Sequence, residues 1–249
     1  MGTRRKSPVN LTTTEPQHCS IDLRLKILGR LPFFAGLPLV AIQKINQHFV
    51  EVGYQPGDVV YLAGDSADRL SVVADGKIKL LQHSAGGHNV LLDILTSGEF
   101  FGNPASLGVA VYPDTAQAQT PVCVLSIRSD AFRHVLDDHP DLALKVLEIM
   151  GERLNAANQR VLQLSSMPVD RRIAFTLLEL GRKFGQLKEN GLLIDVPLSR
   201  YDLAEMTGTT PETASRVMSQ LQSKGMIESG RQWVSILDSR LLDQLAERE

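Results

Sequence analysis

Glu212, Ser215 and Arg216 stand at i, i+3 and i+4 in the stretch TTPETASRVMSQLQSKGMI, a spacing that puts all three on one face of a helix. Together they offer a carboxylate acceptor, a hydroxyl and a five-donor guanidinium fork. That set matches base-pair edges: Arg can donate twice to guanine O6 and N7, and Glu can accept from cytosine N4 in the major groove. An acid and a base so placed would also hold each other's rotamers in the absence of DNA. Two plainer uses compete. Glu212 could fold back on Thr209 as a capping-box acid, since Thr-x-x-Glu fits. It could also form a solvated i, i+4 ion pair with Arg216, worth only about 0.3–0.5 kcal/mol.

Other reactive side chains are sparse. Two cysteines, Cys19 in QHCSIDL and Cys123 in PVCVLSI, are too few for a disulfide scaffold and suit a reducing compartment. Cys123 reads as a small apolar strand residue. A redox switch between Cys19 and Cys123 is the alternative use, although neither context has an adjacent Lys or Arg to lower a thiol pKa. His83 and His88 lie five apart across a Gly-Gly turn, and His134 and His139 flank a helix end. None has tight metal-ligand spacing, so no metal site is expected, while a haem ligand among them stays open. The His-x-His pattern of a cupin-like enzyme is missing, and no enzymatic activity is expected.

The elements around the trio explain its place. Ser199-Arg200-Tyr201-Asp202 reads as a helix start with Ser199 as N-cap, leading through LAEM to a tight turn at Thr207-Gly208. Thr209 or Thr210 can cap the next helix and Pro211 suits its first turn. Helix, short Gly-containing turn, helix is the helix-turn-helix pattern. Ala214, Val217, Met218 and Leu221 follow i, i+3, i+4, i+7 and predict the buried stripe, so Glu212, Ser215, Arg216 and Ser219 must face away. Thr210, Thr213, Ser199 and Arg200, at the starts of the two helices, complete the expected DNA-contacting set. MIESGRQWVSIL alternates around Ser229-Gly230 and predicts a β-hairpin wing. The C-terminal unit is thus expected to be a winged helix-turn-helix over 167–249.

Upstream, residues 1–26 are expected to be a flexible tail and residues 27–139 a sensor domain. Helical patterning from Ile27 to Phe49 is broken at Pro32-Phe33-Phe34 and Gly36-Leu37-Pro38. DVVYLA, LSVVAD, KIKLLQ, NVLLDIL and VCVLSI are strand-length runs set off by turn signals such as Asp75-Gly76, Gly86-Gly87 and Ser97-Gly98, which predicts an antiparallel sandwich or roll. Pro140 separates a short helix from a long one over 140–166. There Leu147, Met150, Leu154, Ala157, Val161 and Leu164 alternate spacings of three and four, the seam of two parallel helices. Homodimerisation is the expected use of that stripe, and packing against its own domain the plainer one.

The chain has 249 residues, 43% hydrophobic and 22% charged, with net charge −2, as in ordinary soluble globular proteins. From Ser166 onward 11 basic residues face 12 acidic ones, so DNA binding must rest on local placement of charge. The N-terminus has no apolar run behind its basic residues, and no stretch is long and apolar enough to span a bilayer. A cytoplasmic location without membrane contact is expected.

With these motifs in place the sequence resembles the Crp/Fnr superfamily of bacterial transcription regulators over nearly its whole length: PGDVVYLAGD, SVVADGKIKLL and SGEFFG in the roll, VDRRIAFTLLELGRKFG, and LSRYDLAEMTGTTPETASRVMSQLQSKGMI. The resemblance implies an α+β fold. Its parts would be a double-stranded β-helix of the cyclic-nucleotide-binding jelly-roll type, a long dimerisation helix and the winged helix-turn-helix. The Glu-x-x-Ser-Arg core is similar to that of the Fnr branch. It implies a homodimer on double-stranded DNA with half-sites like TTGAT, Arg216 on guanine and Glu212 on the opposite cytosine. RNA polymerase is the further partner it implies.

The effector pocket departs from the family pattern. Cyclic-AMP binders resemble one another in a Gly-Glu and an Arg-Ser/Thr-Ala cassette, but here the matching positions are Gly102-Asn103 and Asp114-Thr115-Ala116. Asp114 would repel the phosphate that an Arg should clamp, which argues against cyclic AMP. Two thiolates cannot complete the four-cysteine iron-sulfur cluster of Fnr-type sensors, and completion by His18 or other ligands is the weaker possibility. The effector is unidentified from sequence. The rival reading is a β-roll small-molecule module whose C-terminal unit makes protein contacts only.

Overall fold

A computed structural model describes residues 20–83, 89–102 and 110–247. Two compact units part within the long helix, one ending at Ala156 and the other beginning at Ala157, upstream of the Pro168 boundary expected from sequence.

In the first unit α1 (Ile21–Arg30), a 3-10 turn (Pro32–Phe34) and α2 (Leu39–Asn46) precede the strands. Ser20 caps α1 by accepting from the Leu23 N–H at 3.2 Å. Residues 21–26 are therefore helix, not the tail expected from their polarity. Arg24 anchors them, donating to the Asn46 Oδ1, the Phe49 carbonyl and Glu51 Oε2 at 3.0, 2.8 and 2.9 Å.

Eight strands follow: β1 (Phe49–Tyr54), β2 (Val59–Tyr61), β3 (Arg69–Asp75), β4 (Lys77–His83), β5 (Asn89–Thr96), β6 (Phe100–Gly102), β7 (Thr115–Ala118) and β8 (Val122–Arg128). They form two four-stranded antiparallel sheets, β1-β8-β3-β6 and β2-β7-β4-β5. The first sheet's central strands β3 and β8 are buried on both faces, which is why LSVVAD and VCVLSI read as continuous apolar runs rather than alternations. Val73, Phe101, Val122 and Val124 point into the core shared by the two sheets. Leu70, Val72, Phe100, Cys123, Leu125 and Ile127 point into a second core beneath the helices, as the period of two demands. There Phe33, Phe34, Phe100 and Phe132 stack edge to face, with Phe33 and Phe100 centroids 5.1 Å apart. The β3–β4 turn needs Gly76: its φ is +88°, and a Cβ would lie 2.2 Å from the Pro121 carbonyl oxygen. The turn expected at Gly86-Gly87 lies outside the described residues.

α3 (Ser129–Asp138) and α4 (Pro140–Ser166) are divided at His139. α4 buries Leu142 and Val146, and Ile149 and Met150 also pack against the roll core. Leu147, Leu154 and Val161 are 58, 64 and 62% exposed.

The second unit contains α5 (Val169–Phe184), the hairpin β9 (Gly185–Lys188) and β10 (Gly191–Ile194), α6 (Arg200–Thr207), α7 (Pro211–Ser223), the hairpin β11 (Ile227–Gly230) and β12 (Trp233–Ile236), and α8 (Ser239–Glu247). Its sheet runs β11-β12-β10-β9. The wing hairpin forms, but Ser229 and Gly230 lie in β11 and the turn falls at Arg231-Gln232, with Gln232 at φ +62°; the hairpin is one half of a four-stranded sheet. Among the described residues no helix is long and apolar enough to cross a membrane.

Candidate nucleic-acid interface

The helix-turn-helix is built from its caps outward. Ser199 Oγ accepts from the Asp202 N–H at 3.1 Å, while Asp202 Oδ2 accepts from the Ser199 N–H at 2.8 Å. The two residues thus satisfy each other's orphan backbone donors as a capping box at the start of α6. α6 ends at Gly208, which takes the left-handed conformation at φ +58°, favourable for a residue without a Cβ. Thr210 then caps α7, accepting from the Thr213 N–H at 3.3 Å and donating to Thr213 Oγ1 at 3.2 Å, and Pro211 opens the first turn. Of the two capping threonines that the sequence allowed, Thr210 is the one used.

Along α7, Ala214, Val217, Met218 and Leu221 are all buried, Met218 completely. Glu212, Arg216 and Ser219 are exposed and Ser215 is half-buried. The face assignment from periodicity therefore holds. Two details differ from expectation. Glu212 is not part of a capping box. Among the described residues neither Glu212 nor Arg216 has a hydrogen-bond or ion-pair partner, so the two do not hold each other's rotamers. Ser219 donates to the Ser215 carbonyl at 2.9 Å, which keeps its oxygen available as an acceptor only.

Two more of the expected contact residues, beside Thr210, Thr213 and Ser219, have intramolecular duties. The Ser199 hydroxyl also donates to Asp202 Oδ2 at 2.7 Å. Arg200 is half-buried, and its Nη2 donates to Ser229 Oγ at 2.8 Å. Ser229 Oγ in turn donates to Gln222 Oε1 at 3.0 Å. Burial holds the Arg200 guanidinium pKa below its ordinary value. Gln222 and Ser229 had no sequence signal, because Arg200 and Ser229 lie 29 residues apart.

In the roll, Asp114 accepts from the Tyr61 hydroxyl at 2.8 Å. The Tyr61 ring stacks on Tyr112 with centroids 3.7 Å apart. Burial raises the Asp114 pKa, opposed by the Tyr61 hydrogen bond and the Arg153 charge. Burial, together with the Asp114 carboxylate, pushes the Tyr61 phenol far above its usual range. Arg153 of α4 is an exposed residue overall, yet its guanidinium lies 3.8 Å above the Phe100 ring centroid and donates to the Phe100 carbonyl at 2.7 Å. Thr115 Oγ1 accepts from the Ala63 N–H at 3.0 Å. Asp114 and Thr115, the cassette residues singled out in sequence, are thus occupied by the protein itself. Asn103 lies outside the described residues.

Cys123 is buried in β8, as expected of an apolar strand residue, and it is disulfide-bonded, a state that only the alternative redox use allowed for. Cys19 lies outside the described residues. Among the described residues no group of three or more His, Cys, Asp or Glu side chains could hold a metal ion. Of the expected dimer seam, Leu147, Leu154, Ala157 and Val161 are exposed and Leu164 is 44% exposed. Met150 is the exception, since it packs on its own roll core.

A jelly roll followed by a winged helix-turn-helix, with an acid and a guanidinium free on the second helix, defines a DNA-binding regulator. Comparison agrees: residues 51–139 match the cyclic nucleotide-binding domain and residues 171–245 the Crp-like helix-turn-helix domain. The chain is 30% identical over 219 residues to a probable transcriptional regulator, flp, of Lacticaseibacillus casei, spanning 87% of this chain and 96% of that one. It is 27% identical over 221 residues to the CRP-like cAMP-activated global transcriptional regulator of Mycobacterium tuberculosis, spanning 89% and 99%. The structure of FixK2 from Bradyrhizobium japonicum superposes with a TM-score of 0.72 at 21% identity, covering 81% of this chain and 98% of that one, and shows the shared fold. The chain belongs to the Crp/Fnr superfamily of transcription regulators.

Proposed function

We propose that two copies of the chain pair along α4 and present their α7 helices to a palindromic duplex with half-sites like TTGAT. In this reading Arg216 contacts guanine, Glu212 the opposite-strand cytosine and Ser215 a neighbouring base edge, with Thr210, Thr213 and Ser219 beside them. The observation that carries the reading is the pair Glu212 and Arg216, exposed and unpartnered among the described residues above a buried stripe. Two such side chains lose no internal bond on meeting a base pair. Arg216→Ala is expected to weaken binding by about 1–3 kcal/mol and to relax preference at the guanine it contacts. A competition assay with every base substituted at each half-site position measures this. A uniform loss across unrelated duplexes would instead make Arg216 a phosphate contact. RNA polymerase is the proposed second partner, reached through loops of the roll and the C-terminal unit, and the bacterial cytoplasm the proposed location.

The signal in this reading is not cyclic AMP, even though the M. tuberculosis relative is described as cAMP-activated. Supporting this, the Asp114 carboxylate is partly buried where the family's arginine would stand and is held by Tyr61. The disulfide at Cys123 supports a thiol–disulfide signal involving Cys19, because disulfides in cytosolic proteins are characteristically transient or redox-sensing. DNA affinity should then change on treatment with dithiothreitol in the native protein and stay constant in Cys123→Ser. Identical responses in both proteins would remove the cysteines from the signal.

A further inference from the structure

Arg200, Ser229 and Gln222 link three elements of the C-terminal unit by side-chain hydrogen bonds. Arg200 opens α6, Gln222 lies in the last turn of α7 and Ser229 sits on β11. The proton order is fixed. Arg200 can only donate, so Ser229 Oγ accepts from it at 2.8 Å and donates to Gln222 Oε1 at 3.0 Å. We propose that Arg200 is a positioning residue for DNA recognition, a strut that acts through Ser229 and Gln222 to fix the tilt of α7, and not a phosphate contact. The proposal rests on the reading of α7 as the recognition helix.

The leverage is geometric. Glu212 and Gln222 are ten residues apart, about 15 Å along a helix axis. A tilt of about 10° around the C-terminal end would carry Glu212 by roughly 3 Å, far more than a base-edge hydrogen bond tolerates. The buried stripe of Ala214, Val217, Met218 and Leu221 resists sliding. The relay adds a directional restraint at the end opposite the base-reading residues. It also ties that end to the wing, since Ser229 pairs with Val234 of β12. An arginine spanning these groups outperforms a lysine, whose flexible ammonium lacks the planar fork.

The test compares Arg200→Met, Ser229→Ala, the double variant and the conservative Ser229→Thr in the full-length protein. Each is assayed on a TTGAT-type palindrome and on a scrambled duplex over a range of salt. The strut predicts that Arg200→Met and Ser229→Ala each lower the ratio of specific to scrambled affinity by about tenfold, the scale of one lost base-pair contact. The double variant should lose no more than either single one, Ser229→Thr should restore the ratio, and the salt slope should stay unchanged. If Arg200→Met reduces the salt slope by about 0.9, the value of one phosphate contact, while Ser229→Ala behaves as wild type, the proposal is overturned. Unchanged ratios in both single variants overturn it equally. Should Arg200→Met unfold, as seen in circular dichroism, Ser229→Ala and its threonine rescue decide alone. Failure of Arg216→Ala to alter base preference would sink the recognition-helix reading instead, so the two failures are separable.

Discussion

In the proposed reading Asp114 replaces the arginine with which the family's cyclic-AMP binders would clamp a phosphate. Where a cyclic phosphate would need a guanidinium, this chain supplies a carboxylate, and Tyr61 and Arg153 compensate for it from within. Because burial dominates, the folded protein holds the Asp114 pKa above its ordinary value of 3.8. The folded state therefore binds that proton more tightly than the unfolded chain. The resulting stabilisation is fully present below 3.8 and is lost as pH rises through the elevated native pKa. Asp114→Asn keeps an oxygen to accept from Tyr61 and removes the buried charge. It should raise the thermal midpoint at neutral pH, with the advantage shrinking to nothing as pH falls toward the ordinary carboxylate pKa. Differential scanning calorimetry of both proteins across this window checks it. A variant less stable than wild type at neutral pH would show that the Arg153 attraction outweighs burial.

At the level of elements, what could be read in advance depended on how locally each was specified. α7 was legible because cap, proline, buried stripe and polar face all lie within one short stretch, and propensity and patterning agree there. The break at Pro140 was equally local, as was the existence of the wing, although its turn lies two residues beyond Ser229-Gly230. β6 and β7 were not foreseen: FFG and TAQA are three and four residues long, too short to show a period. α1 was read partly as tail because its polar first turn is fixed by Arg24 reaching Asn46 and Phe49, contacts more than twenty residues away. α8 went unrecognised behind the wing, although Leu242 and Ala246 at i and i+4 are its buried pair. The exposed polar face of α7 was thus visible in the sequence. The relay through Arg200, Ser229 and Gln222 and the internal capture of Asp114 were not, since both depend on which distant segments the fold brings together.

For the whole molecule the proposed association is between two copies of the chain. Met150 turns toward the roll core while Leu147, Leu154 and Val161 stay well over half exposed. A straight helix drifts by about 20° per heptad against a 3.5-residue repeat, so one stripe need not keep to a single neighbour along its length. Burying an exposed Leu or Val against a second copy is worth roughly 1.5–3 kcal/mol each, and a parallel pair buries every such residue twice. Leu154→Glu and Val161→Glu should therefore convert a dimer to monomers in sedimentation velocity. They should leave the thermal midpoint of the monomer little changed, because neither side chain is in a core of the single chain. Affinity for a palindrome should then fall by about 10²–10⁴-fold through loss of the second half-site's effective concentration. Weak binding to an isolated half-site should persist. If both variants remain dimeric and bind the palindrome as wild type does, α4 is not the seam, and the exposed leucines serve another surface.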